Sequence, residues 1–162
     1  MIADRCALIL LVAGVACSGS APTPGSDAAP VITRIDTSDV LLRTGQGLGD
    51  PTRVVIRDSV AWEQFWSQAH ALLEPAPTAP VVDFADSMLL AAALGTRATG
   101  GHRVTIDSVS RGGVLRAFVT TITPGPGCVA MMAITWPVQV VRVERFDGSV
   151  EFVEAERTEQ CK

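Results

Sequence analysis

The stretch Ser87-Met-Leu-Leu-Ala-Ala-Ala-Leu94 carries no charge and stops at Gly95. Its alanines taken alone favour helix. Its length and its glycine boundary favour a strand, because strands run about 4–8 residues and helices about 10 or more. A continuous apolar run of this kind suits a central strand of a sheet.

Upstream lies a proline-rich linker from Pro75 to Pro80, and before it the clearest helix signal in the chain. Asp58 or Ser59 can cap that helix, and Trp62, Phe65, Trp66, Ala69 and Leu73 recur at i, i+3, i+4, i+7 and i+11. Glu63, Gln64, Ser67 and Gln68 fall on the opposite side. Arg53 to Arg57 reads as a strand feeding the helix, Gly45 to Pro51 as a loop, and Val31 to Leu42 as a first strand. Downstream, Arg103 to Val109 alternates, with Val104 and Ile106 on one face and Arg103, Thr105 and Asp107 on the other. The turn Arg111-Gly-Gly113 joins it to a hairpin partner, Val114 to Ile122. Val138 to Phe146 and Val150 to Ala155 flank Asp147-Gly148, a two-residue hairpin signal. The order predicts an α+β domain: one amphipathic helix packed on a mainly antiparallel β-sheet or β-sandwich-like meander.

The chain has 162 residues, enough for one domain, and 48% of them are hydrophobic. Part of that fraction belongs to residues 1–16, which read as a signal peptide: Arg5, then an apolar run from Cys6 to Ala16 too short to span a bilayer. Gly14-Val15-Ala16-Cys17 resembles a bacterial lipobox, with Gly14 where Leu is usual, and implies lipidation of Cys17. The same residues suit an ordinary signal peptidase, which would leave a secreted or periplasmic soluble protein. Residues 17–30 are small residues, Pro and Gly, the composition of a flexible tether. The expected organisation is therefore signal peptide, lipidated tether, and a single β-rich domain over 31–162. Its expected place is the cell envelope, lipid-anchored and facing the periplasm or the exterior.

The formal charge is −4 and the only lysine is Lys162. A nucleic-acid surface needs clustered cations to displace counterions, so that class is excluded. A polybasic membrane patch is absent too, leaving the N-terminal lipid as the expected membrane contact. Once Cys6 leaves with the signal peptide and Cys17 takes the lipid, Cys128 and Cys161 remain. In an oxidising compartment the pair reads as a disulfide. It would close a loop of about 34 residues, worth roughly 3–4 kcal/mol on a chain-entropy estimate. The rival metal or redox reading lacks a CxxC and has only His70 and His102 to draw on. No metal and no cofactor are expected.

Catalytic signatures are missing: no GxSxG, HExxH, P-loop or dinucleotide fingerprint occurs. His70, at the polar side or end of the helix, and His102, opening a strand, read as surface residues. Asp83 and Asp86, just before a strand, read as solvent-facing or capping groups. The expectation is a protein without enzymatic activity. Two loops stand out instead. Gly95-Thr-Arg-Ala-Thr-Gly-Gly101 joins two expected strands, and its consecutive glycines permit close backbone approach. Thr123-Pro-Gly-Pro-Gly-Cys128 is followed by Val-Ala-Met-Met-Ala-Ile-Thr-Trp-Pro137. Thr99, Gly100, Gly101, His102, Pro124, Gly125, Pro126, Gly127, Met131 and Trp136 are the candidate partner-binding residues. On spacing alone Met131, Met132 and Trp136 fit two readings equally, an adaptable apolar contact surface or plain core.

From about Val54 to Val153 the sequence resembles the C-terminal domain of the PrcB-like protease complex subunits. The residues that carry the likeness are Trp62-Glu-x-Phe-Trp66, Val82-Asp-Phe84, Gly95 with Thr99-Gly-Gly101, Pro124-Gly-Pro-Gly-Cys128, and Pro137. His102 departs from the family, whose members commonly carry Tyr after the two glycines. The resemblance implies a non-catalytic lipoprotein that associates with and stabilises a surface protease. A second likeness joins Thr99-Gly-Gly-His102 to the Thr-Thr-Gly-Tyr loop of chagasin-type protease inhibitors, which are immunoglobulin-like sandwiches. It implies loop-mediated protease inhibition. A purely structural envelope module is the third class compatible with these residues.

Overall fold

The structure is a computed structural model that describes residues 32–35 and 46–161. The signal segment 1–16, Cys17, the tether to residue 30 and most of the first expected strand lie outside the described residues. In chain order the elements are β1 (Thr33–Ile35), β2 (Thr52–Ile56), α1 (Ser59–Ala69), β3 (Ser87–Ala93), β4 (Arg103–Arg111), β5 (Leu115–Pro124), β6 (Val138–Glu144) and β7 (Val150–Glu159). The strands form two sheets, one in the order β1-β6-β3-β2 and one in the order β4-β5-β7.

β3 is the innermost element. It pairs antiparallel with β2 on one side, Val54 opposite Ala91, and antiparallel with β6 on the other, Val140 opposite Ala91. Successive side chains point to opposite faces, so an all-apolar strand presents an apolar surface both ways. Met88, Leu90 and Ala92, with Leu94 just beyond the strand, pack on Val104, Ile106, Val109, Leu115, Ala117 and Val119 of the second sheet. Leu89, Ala91 and Ala93 pack with Trp62, Phe65, Trp66 and Ala69 of α1. The result is three layers: helix, four-stranded sheet, three-stranded sheet. The small alanines at 91 and 93 face the bulky indoles, a pairing of small with large that fills an interior without voids.

α1 begins where the Asp58 carboxylate accepts a hydrogen bond from the Ala61 backbone N–H at 2.8 Å. It stops at Ala69, one turn before the expected Leu73. There the backbone tightens into three-residue turns, Ala71 N–H to Gln68 O and Leu73 N–H to His70 O. The proline-rich linker is fastened back onto the helix by its tryptophans. Trp62 Nε1 donates to Pro80 O at 2.8 Å and Trp66 Nε1 to Pro77 O at 2.7 Å.

Asp147-Gly148 does not make a hairpin. β6 belongs to the first sheet, between β1 and β3, and β7 crosses to the second sheet to pair in parallel with β5, Leu115 opposite Val150. Burial explains the difference. β6 buries Val140 on the helix side and Val141 and Val143 between the sheets, so it needs neighbours on both edges. β7 buries only Val150 and Phe152 in part and alternates with glutamates, as an edge strand does. The local turn signal yields to this longer-range demand. The crossover is held by Arg57 Nη2 donating to Gly148 O at 2.9 Å and by Arg145 Nε to Asp147 at 2.9 Å.

A bulge in β4 between Ile106 and Ser108 shifts the register by one. Val109 is thereby returned to the interior with Val104 and Ile106. The displaced Asp107 accepts from the Thr105 and Thr120 hydroxyls, and the Ile106 N–H donates across the sandwich to Gln139 Oε1 at 2.6 Å. Removing the helix cap with Asp58→Ala should lower stability by about 1 kcal/mol in urea denaturation, with the slope unchanged.

Candidate functional site

β3 and β5 end, and β4 and β6 begin, at one pole of the sandwich, and both singled-out loops lie there. Gly95 turns the chain out of β3 with φ +72°, and a Cβ there would come within 2.6 Å of Gly49 O. No other residue tolerates both the positive φ and that approach. Arg97 and Thr135 then form a two-residue antiparallel bridge, N–H to O at 2.8 and 2.9 Å in the two directions. The Thr135 hydroxyl donates to Thr99 O at 2.9 Å, and Gly100 N–H donates to Met131 O at 2.8 Å. Gly101, at φ +86°, lies against the Pro124 ring. The two loops are therefore one hydrogen-bonded unit.

The other side of that unit is tied to the C-terminal strand. Gly125 N–H donates to Glu159 O at 2.9 Å, and Cys128 is disulfide-bonded to Cys161 with Cα atoms 5.0 Å apart. Between these ties the chain bulges outward. Val129 is fully exposed, Met132 is 88% exposed, and Met131 and Ile134 are each more than half exposed. Of the two readings of the methionines, core is excluded. Trp136 is half-buried, while Pro126 and Gly127 are exposed. Val129, Ile134 and the bridging Thr135 were not singled out from sequence. The signal that could have found them is that no charged residue occurs from Thr123 to Pro137.

The histidines need correction in different ways. His70 is buried, not a surface residue: its ring centroid lies 4.2 Å from that of Trp66 at a tilt of 35°, and its Nδ1 lies 2.8 Å from Trp66 O. The short last turn of α1 folds the ring back under the helix. His102 is half-buried, and its Nδ1 is shielded from water with no hydrogen-bond partner. Burial, and then the Arg97 guanidinium, hold its pKa below the usual imidazole value, so the ring is neutral at pH 7. Asp83 accepts from Ala85 N–H at 2.9 Å, a local turn contact. No carboxylate hydrogen-bonds either imidazole among the described residues, and no cluster of three or more potential metal ligands occurs among them.

Residues 88–144 match the family model described as PrcB C-terminal. This segment is a PrcB-like C-terminal domain. The match runs from the first buried residue of β3 to the end of β6 and so contains both loops of the pole. It is narrower than the resemblance read over 54–153, leaving out α1 and β7. The PrcB-like segment supplies Cys128, and Cys161 comes from outside it. No curated protein and no solved structure shows a significant match to the chain.

Two outcomes follow for this pole. Gly95→Ala should destabilise the PrcB-like domain by more than about 1 kcal/mol, whereas Gly113→Ala, with nothing within 4 Å of the added methyl, should be near neutral. His102 should titrate below 6.5 by NMR. Because the unfolded chain then binds the proton first, the stability tied to His102 is complete above pH 6.5 and declines as pH falls below it. His102→Phe should flatten the fall in stability between pH 7 and pH 5.

Proposed function

We propose that the protein is a non-catalytic envelope lipoprotein, anchored through Cys17, whose PrcB-like domain associates with and stabilises a protease. The observation that carries this reading is the coincidence of the family match with the loop unit. The matched segment, 88–144, contains the two loops that are bonded to each other and pinned to the C-terminus. A surface fixed before docking loses little conformational entropy when a partner arrives, which suits binding rather than catalysis. The resemblance to PrcB-like protease complex subunits supports a protease as the class of partner. Thr99 to His102, Pro124 to Gly127, Met131 and Trp136 are the contact residues of this reading, and the tether 17–30 links them to the membrane.

The test is co-purification of the full chain from native membranes in mild detergent. A protease should accompany it, and that protease should lose activity more slowly on warming with the chain than without it, at equal initial rate. Lower initial rates would favour the inhibitor reading instead, and absence of any protease would contradict the proposal. Cys17→Ser should move the protein from the membrane to the soluble fraction and abolish palmitate labelling; unchanged fractionation would remove the anchor from the account.

A further inference from the structure

The apolar tip of the pole and the entry of the chain lie at opposite ends of the sandwich. β6 leaves the tip at Pro137 and runs from Val138 to Glu144. β1 lies antiparallel beside it, with Ile35 opposite Val140 and Thr33 opposite Arg142. At about 3.3 Å per residue, Thr33 sits about 13 Å farther from the tip than Val138 does. The described chain therefore enters β1 at Ile32 and Thr33 on the side away from Val129, Met131, Met132 and Ile134.

The charges around the tip favour a protein over lipid. A loop that docks on an anionic bilayer gains from a collar of Lys and Arg. Here Arg103 is neutralised by Glu159 at 2.9 Å and His102 is neutral, which leaves Arg97 and Arg157 as the arginines at this pole without a carboxylate partner among the described ion pairs, too few for such a collar. A second copy fits poorly as well. Two convex tips meeting head-on cannot enclose one another, and stable interfaces engage about 20–30 residues a side. A convex cluster of aliphatic and thioether side chains, uncharged from Thr123 to Pro137, calls for a concave apolar complement.

We infer that Val129, Met131, Met132 and Ile134 anchor the interface by entering an apolar pocket of a protein partner that lies on the membrane-distal side of the domain. The inference rests on the proposed envelope-anchored binding role and adds the contact surface and its direction. Met131 is held for this by the Gly100 N–H on its carbonyl, so the Thr99–Gly101 loop acts as the buttress of the tip.

The experiment compares full-length wild type with Val129→Asp/Met132→Asp and with Glu63→Gln on the exposed face of α1, each in native membranes. Val129, Met132 and Glu63 are exposed, so the variants should fold, and equal melting temperatures check this. Native electrophoresis should find wild type and Glu63→Gln in a high-mass complex, with the complexed fraction of the tip variant reduced by about tenfold or more. A tip variant that stays complexed overturns the inference and leaves the binding role standing. A wild type that runs alone overturns both. Proteoliposomes with brominated acyl chains supply the lipid arm: tryptophan quenching should be equal in wild type and tip variant. Quenching that depends on the tip would assign it to lipid and overturn the inference, as would a wild-type homodimer lost in the tip variant.

Discussion

The structure depends on burying β3 on both faces. A strand with no charged side chain from Ser87 to Ala93 cannot leave either face to water without losing the driving force that orders it. At about 25 cal/mol per Å² of apolar surface removed from water, each face is a separate demand for a covering layer. One demand is met by α1 and its two tryptophans, the other by β4 and β5. The three-layer order is the simplest arrangement that meets both.

The pole that carries the two loops is a consequence of that arrangement. With β3 held in the middle, the chain leaves it at Gly95 beside the point where β6 begins, because the two are antiparallel neighbours. The hairpin of β4 and β5 returns to the same pole and delivers Pro124 against Gly101. The Arg97–Thr135 bridge then continues the first sheet's pairing into loop territory for one step, and the disulfide closes the far side. A surface of Met, Val and Ile on so short a scaffold would collapse onto the core unless its backbone were held apart from it. The bonds to Gly100, Thr99 and Glu159 hold it there.

Much of the core was legible in the sequence. The run from Ser87 to Leu94, the spacing of Trp62, Phe65 and Trp66, and the pairing of Cys128 with Cys161 are local patterns or a simple count, and each has its counterpart in the structure. What was not legible depends on distant partners. Asp147-Gly148 has the residues of a hairpin, yet β6 and β7 part company because one is wanted between β1 and β3 and the other beside β5. His70 carries no sign that α1 would end at Ala69 and fold the ring beneath Trp66. Met131 and Met132 look the same in sequence whether they pack inside or stand out, since only the fastening of the loop decides. The bulge at Asp107 is equally silent, because it exists to satisfy the facing sheet.

The most direct measurement asks whether the two faces of β3 stand or fall together. In a Trp136→Phe background, Trp62 and Trp66 report the helix layer by fluorescence, while far-ultraviolet circular dichroism reports the sheets. Leu90→Ala cuts only the face toward the second sheet. The account predicts a single coincident urea transition by both probes, lowered by about 2–5 kcal/mol. A helix-layer transition that stays at its original midpoint while the sheet signal shifts would contradict it.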